Sequence, residues 1–440
     1  MADPICFNTL PIHSNSFSLV SLGCPKNLVD SEQHVFALQQ VGRKFRTDVE
    51  ESELVVLNTC GFLQSARDEA REYIRALIEL KKQGSIRRIA VRGCMPMVEG
   101  LERLADEFPE VDDWHGIPPA QEHSAPRHLL TEKHVAYLRI ADGCSRRCSF
   151  CAIPDIRGKF RSVPEETVIQ EARRLAEAGV KELVVIAQET TFWGNDLESK
   201  PCDGKPRLAA LLRKLEAIDG IRWIRVMYTY PLYFEDDLID LFAAGGKLLP
   251  YIDMPLQHAN DEMLQQMNRR VTKVETEKLL ETLRGRIENL VFRTSFIVGF
   301  PGETDAMFQE LLRFVDRWQF ERAGVFRFSA ERGTLAARLT PKVPAKTIDR
   351  RFEQLSKTCE KHSTAWANRQ KGKILPVQID GNFVDEFGRK EAQLFIGRTV
   401  ADAPDIDPVV YVTGQQLVGG SLIECEILET EGCNLVAIAI

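Results

Sequence analysis

Three thiols crowded into eight residues constrain this 440-residue chain more than any other stretch: Cys144, Cys148 and Cys151 of Asp142-Gly-Cys-Ser-Arg-Arg-Cys-Ser-Phe-Cys-Ala-Ile-Pro154. Cysteines this close are ligands of a metal or of a cluster, and the loop that carries them must curl around a common centre. Zinc closes its shell with four ligands, and the nearest further Cys or His, His134, lies ahead of the array. Three ligands without a fourth suit a [4Fe-4S] cluster that keeps one iron open. The first gap holds three residues where the ferredoxin run has two, so a simple electron-transfer cluster fits less well. Zinc or plain structural thiols stay open at this point.

The C-x-x-x-C-x-x-C spacing, with aromatic Phe150 just before the last Cys, resembles the radical S-adenosylmethionine (SAM) superfamily. That resemblance implies an open iron that holds the amino acid end of SAM. An electron from the cluster would then split SAM into methionine and a 5′-deoxyadenosyl radical.

The totals suit such an enzyme. A chain of this length has room for two or three domains and a large core. Apolar residues make up 44% and charged residues 28%, and no apolar run approaches the roughly 18 residues of a membrane span. The start, Met1-Ala-Asp-Pro-Ile-Cys-Phe, lacks a basic region and an apolar region, so neither a signal peptide nor a membrane partner is expected. Eleven cysteines in a chain expected to be cytoplasmic argue for thiolate chemistry rather than disulfides. The net charge of −7 is unevenly placed: Lys373 to Ile440 holds four basic and eleven acidic residues, which leaves 53 of each sign elsewhere. Nucleic-acid modules usually show a basic patch. An acidic module points to a basic protein partner, or merely to solubility.

Upstream, three apolar runs each end in a cysteine: Phe17 to Cys24, Leu54 to Cys60 and Ile89 to Cys94. Each reads as a buried strand, and helical patterns follow the first two, over Ser31 to Gln40 and Ser65 to Gln83. Strand–helix alternation implies a doubly wound parallel sheet, whose strand carboxyl ends share one edge where ligands bind. Cysteines 36 and 34 residues apart would therefore converge. Any one of them alone reads as a core residue. Three at equivalent strand ends, two of them after Gly, read as ligands of a second three-Cys [4Fe-4S] cluster.

Leu22-Gly-Cys-Pro-Lys-Asn, Asn58-Thr-Cys-Gly-Phe and Arg92-Gly-Cys-Met, together with the later array, resemble the methylthiotransferases over nearly the whole chain. The resemblance implies an α/β chain of three parts. These are an N-terminal doubly wound cluster domain (1–117), a radical SAM (β/α)6 partial barrel (134–343) and a five-stranded OB-like TRAM β-barrel (372–440). A linker (118–133, with Pro118 to Pro126 at its start) and a basic helical stretch (344–371) would join them.

Six strands are expected in the middle part: Val135 to Ile140, Glu182 to Ala187, Trp223 to Tyr228, Leu249 to Met254, Val291 to Val298 and Gly324 to Phe328. Helices are expected over Glu165 to Ala178, Leu208 to Ile218, Glu235 to Ala243, Thr276 to Ile287 and Thr304 to Trp318. Functional residues of parallel barrels gather at strand carboxyl ends. Gln188 and Glu189 after the second strand stand where the superfamily positions the SAM amino group. Gly299 would let the backbone approach adenine, or simply serve a tight turn. Arg293 could meet the SAM carboxylate, with a structural ion pair as the alternative. His258 is a candidate substrate contact.

Tyr230-Pro231, Asp253-Met-Pro-Leu-Gln-His258 and Ala401-Asp-Ala-Pro-Asp-Ile-Asp407 resemble the RimO-type branch. That branch modifies the β-carbon of an aspartate on a basic small-subunit ribosomal protein, uS12. Pro408 stands where that pattern usually has Gly. The acidic tail agrees, since it would repel RNA phosphate and attract a lysine- and arginine-rich protein. A tRNA adenosine methylthiotransferase is the alternative, and a non-enzymatic iron–sulfur or zinc scaffold a distant one. The resemblance implies that Cys24, Cys60 and Cys94 hold a cluster whose free iron carries an extra sulfur. One SAM would methylate that sulfur, and a second would yield the radical that abstracts hydrogen from the aspartate. The expected partners are a reductant such as flavodoxin or ferredoxin and a sulfur donor; tRNA is not expected to bind, and the chain is expected to act as a monomer.

Overall fold

The structure, a computed structural model, describes residues 15–117, 126–197, 207–385 and 388–440. The segment read for a signal peptide and most of Pro118 to Pro126 lie outside the described residues. The chain forms two compact units. The first joins Met1–Leu130, Ala141–Val163 and Ser329–Ala337; the second joins Thr131–Ile140, Pro164–Phe328 and Arg338–Ile440. The array from Cys144 to Cys151 therefore groups with the N-terminal sheet.

The first unit runs β1 (Ser16–Ser21), α1 (Pro25–Gln40), β2 (Lys44–Phe45), β3 (Leu54–Thr59), α2 (Gln64–Lys82), β4 (Arg88–Gly93), α3 (Cys94–Glu99), α4 (Leu101–Glu107) and β5 (Asp113–Trp114). The strands form one parallel sheet in the order β2-β1-β3-β4-β5. Every residue of β3 is buried, as a parallel strand covered on both faces requires. Alternate side chains leave a strand on opposite faces. Val55, Leu57, Ile89 and Val91 pack with Ala70, Ile74 and Leu77 of α2. Phe17, Leu54 and Val56 pack with Val35 and Leu38 of α1. The sheet is doubly wound. Helix α1 begins at Pro25, six residues ahead of the expected start. Proline suits the first helical turn, and buried Lys26, Asn27, Asp30 and Glu32 hide the apolar period there.

Two short strands, β7 (Ala141–Asp142) and β8 (Arg161–Ser162), pair antiparallel. They close the neck of the loop that carries the cysteine array and α5 (Ile153–Arg157).

The second unit holds β6 (Val135–Arg139), α6 (Glu165–Glu177), β9 (Glu182–Ile186), α7 (Leu208–Glu216), β10 (Trp223–Val226), α8 (Asp236–Ala243), β11 (Leu248–Asp253), α9 (Asp261–Gln266), α10 (Lys273–Arg286), β12 (Val291–Val298), α11 (Asp305–Trp318) and β13 (Arg322–Arg327). Its strands form an open six-stranded parallel sheet, β13-β12-β11-β10-β9-β6, which is the partial barrel expected. Helix α9 was unforeseen, because six residues are too few for a 3.6-residue period to repeat. Helix α12 (Ala345–Asn368) leads to β14 (Ile374–Val384), β15 (Lys390–Arg398), β16 (Val410–Thr413), β17 (Leu422–Glu431) and β18 (Asn434–Ala439), which close a barrel in the order β14-β15-β16-β18-β17. Val377, Ile379, Phe395, Val412, Cys425 and Ile427 are among its core residues. Among the described residues no helix is long and apolar enough to cross a membrane.

Buried charge seats this barrel on the parallel sheet. Glu182 of β9 meets Arg225 at 2.9 Å and Arg398 at 2.7 Å, and Arg398 also meets Asp380 at 2.8 Å. The Ala401 to Asp407 motif turns two of its carboxylates, Asp402 and Asp407, inward. Asp402 pairs with Arg322 at 2.6 Å, Asp405 accepts from Tyr137 at 3.1 Å, and Asp407 accepts from Tyr251 at 2.5 Å. This changes the meaning of the acidic tail. Part of its formal charge is consumed internally, and the exposed part includes Glu424, Glu426, Glu429 and Glu431 along β17.

Candidate metal centre

Reversal of strand order makes a crevice at the carboxyl end of a doubly wound sheet, and here the switch falls between β1 and β3. Cys24 follows β1, Cys60 follows β3, and Cys94 opens α3 directly after β4. Convergence is a matter of missing side chains as much as of strand order. Gly23 takes φ +94°, and a Cβ there would stand 2.8 Å from Cys60 Cβ and 3.3 Å from its Sγ. A Cβ on Gly61 would lie 2.5 Å from the Cys94 carbonyl oxygen.

Asn27, fully buried, ties the three strand ends together. Its side-chain amide donates to the Leu22 carbonyl at 3.1 Å and the Thr59 carbonyl at 3.0 Å, and its oxygen accepts from the Cys94 thiol at 3.3 Å. Arg67 adds a second tie. Its guanidinium reaches Gly61 O at 2.8 Å, Glu99 of α3 at 3.1 Å and Glu331 at 2.9 Å. Sequence reasoning missed both. Arg67 left a trace, because it shares the buried stripe of α2 with Ala70 and Ile74, where an arginine is out of place unless paired.

Burial raises the Cys60 thiol above its usual pKa and pushes the Cys94 thiol up to about 12, with Arg157 opposing. Both are protonated at neutral pH until a metal takes the thiolate and releases the proton.

The second trio sits in the loop closed by β7 and β8. The Cys144 amide donates to Gly158 O at 3.1 Å and the Cys151 amide to Cys148 O at 3.1 Å. All three thiols are partly buried, and Phe150 is half-buried. The two trios meet through packing, since Cys94 clusters with Ala152 and Ile156. Arg157, whose side chain is 1% exposed, closes the same junction with an ion pair to Asp142 at 3.1 Å and another to Asp30 at 2.8 Å.

Each site thus offers three thiols. Among the described residues no three His, Cys, Asp or Glu groups stand at the spacing of a single-ion site. A cluster spreads its thiolates around several irons and asks only for three cysteines on loops that approach one another, a donor set these residues fit.

The remaining expected site residues lie in the second unit. Gln188 and Glu189 follow β9, with Gln188 half-buried and Glu189 4% exposed. Arg293 is engaged by protein. Its Nη1 meets Asp253 at 2.8 Å and its Nε meets Asp407 at 3.3 Å, the structural ion pair given above as the alternative. Gly299 takes φ +78°, and the space its Cβ would need is filled by Ile348 of α12. His258 is 2% exposed. Its Nδ1 accepts from the Asn260 amide at 3.0 Å and its Nε2 reaches Glu303 at 3.2 Å, so the ring buttresses the turn after β12.

Gly61→Ala tests the crowding directly. A backbone carbonyl cannot rotate away as a side chain can, so the variant is expected to lose iron from the Cys24–Cys60–Cys94 site and keep it at the other. Iron analysis and the visible spectrum read the outcome.

Sequence comparisons agree with this geometry. Residues 138–315 match the radical SAM superfamily, 16–116 the uncharacterized protein family UPF0004, and 371–440 the TRAM domain. The ribosomal protein uS12 methylthiotransferase RimO of Syntrophus aciditrophicus is 39% identical, over 97% of this chain and 98% of its own length. That of Pelotomaculum thermopropionicum is 41% identical, over 89% of this chain and 92% of its own length. That of Trichlorobacter lovleyi is 37% identical, with 96% and 97% covered.

Proposed function

This chain belongs to the RimO-type radical SAM methylthiotransferases, and from that premise we propose that it adds a methylthio group to the β-carbon of an aspartate on ribosomal protein uS12. The observation that carries the reading is the joining, in one unit, of three strand-end cysteines at a sheet switch point with the C-x-x-x-C-x-x-C loop. Cys144, Cys148 and Cys151 would hold one [4Fe-4S] cluster, and Cys24, Cys60 and Cys94 a second. With SAM bound, these groups would supply the radical and sulfur chemistry that an unactivated C–H bond demands.

The chain's own residues bind and shield. Six thiolates would hold the metal, and Phe150, Gln188, Glu189, Arg293 and Gly299 are the contacts proposed for SAM. The apolar packing of Cys94, Ala152 and Ile156 keeps water from the junction of the two loops. The segments 1–117, 134–343 and 372–440 are proposed as its three functional parts, acting in the cytoplasm with a flavodoxin- or ferredoxin-like reductant and a sulfur donor. The exposed glutamates of β17 favour a basic protein over RNA phosphate.

Reconstituted enzyme given SAM and reductant is expected to add one methylthio group to isolated uS12, read by mass spectrometry of its peptides, and none to tRNA. Modification of tRNA alone would replace this reading with the tRNA adenosine alternative.

A further inference from the structure

Arg157 belongs by sequence to the loop of the second trio, six residues past Cys151, yet its guanidinium reaches the first. Its Nη2 donates to Asn27 Oδ1 at 2.7 Å and Asp30 at 2.8 Å, and stands 3.8 Å from Cys94 Sγ. Its Nη1 grips Asp142, two residues before Cys144, at 3.1 and 3.2 Å. One planar fork therefore spans both cysteine sites. A lysine ammonium could not reproduce that, because it offers a point charge and no fixed directions.

The contact with sulfur sets this arginine apart from an ordinary buried ion pair. In the thiol state Cys94 donates to Asn27 Oδ1, the same oxygen that Arg157 holds. Once Cys94 is a thiolate it has no proton to give, and the guanidinium is the donor already in place. Charge-assisted bonds of this kind are the strong ones. Hydrogen bonds to sulfur and nearby charge are the protein's means of setting a cluster's potential. A fixed cation favours the state that holds one more electron, so it raises that potential.

We infer that Arg157 is a positioning residue for the Cys24–Cys60–Cys94 centre, bonding the Cys94 thiolate and holding that centre at a higher potential than its cysteines alone would. This rests on the reading of those cysteines as cluster ligands. It goes beyond that reading by assigning the tuning of one site to a residue carried by the other site's loop.

The test uses the full chain with Cys144, Cys148 and Cys151 all changed to Ala, so that only the first site can hold iron. Iron content and midpoint potential are measured, the latter by a redox titration followed by electron paramagnetic resonance. Arg157→Gln is expected to shift the potential downward, Asp30→Asn to shift it upward, and Arg157→Lys, which keeps the charge but not the fork, to fall between the parent and Arg157→Gln. Asp30→Asn removes a neighbouring negative charge while keeping hydrogen-bonding capacity, so it carries the test if Arg157→Gln does not fold. A folded, iron-loaded Arg157→Gln or Asp30→Asn protein with the parent's potential overturns the inference. A parent that binds no iron overturns the cluster reading itself, a different result from an unshifted potential.

Discussion

Changing Cys24, Cys60 and Cys94 together to Ala is expected to remove about half of the iron and all methylthio transfer, while SAM cleavage survives. The two trios enter the reaction differently. The second trio's loop has its own closure, through the β7–β8 ladder and the Cys144 amide on Gly158 O at 3.1 Å. It does not need the first trio's sulfurs to hold its shape. Production of 5′-deoxyadenosine from SAM under chemical reduction should therefore persist in the variant. The reciprocal change, Cys144, Cys148 and Cys151 to Ala, should abolish 5′-deoxyadenosine and leave the other half of the iron. Iron and sulfide analysis with chromatography of SAM products reads both. Loss of all iron from either triple variant would mean that the cysteines serve one shared site, and the two-cluster reading would fall.

Glu182→Gln is expected to destabilise the second unit by about 3–5 kcal/mol, the cost of breaking a buried pair from one side. Glu182 is fully buried between Arg225 and Arg398. Neutralising it leaves Arg225 without a carboxylate partner among the described contacts and Arg398 with only Asp380. Burial alone would raise the Glu182 pKa; the charges of Arg398 and Arg225 outweigh it and hold the carboxyl below its usual value. Asp380 is lowered in the same way, burial being overcome by His134 and Arg398. Groups with depressed folded pKa values add stability above their unfolded values, near pH 4, and lose it as pH falls through the folded ones. Wild-type protein should therefore lose stability below about pH 4 more steeply than Glu182→Gln. Urea midpoints from pH 7 down to 3 test this, and parallel curves for the two proteins would refute it.

These two predictions differ in how far the sequence foresaw them. The cysteines were legible because their chemistry is tied to spacing: thiols within eight residues, or at the ends of three apolar runs, have few other reasons to recur. The six central strands were legible because each is a short apolar run between helical patterns. Glu182 was not, for it looked like an ordinary charged start to a strand. Nothing nearby in sequence says that its partners are Arg225 and Arg398, the second of them 216 residues away. Asn27 stood inside a quoted motif with no role attached, and Arg157 carried no local signal.

Charge shows the same divide. Counting residues placed all of the −7 in the last 68 positions, yet counting cannot distinguish a carboxylate in water from one against a guanidinium. Asp402 and Asp407 face inward, whereas the β17 glutamates face out.

From the residue order alone came the donor atoms, the alternation that builds a parallel sheet, and the family. Those depend on local chemistry and short periods, which neighbours in sequence carry by themselves. Only the tertiary structure decided which cysteine loop packs on which, that Arg293 pairs with Asp253 and Asp407, and that one arginine spans both trios. Such facts arise from contacts between distant segments, where close packing and the cost of an unpaired buried charge select partners that no local pattern encodes.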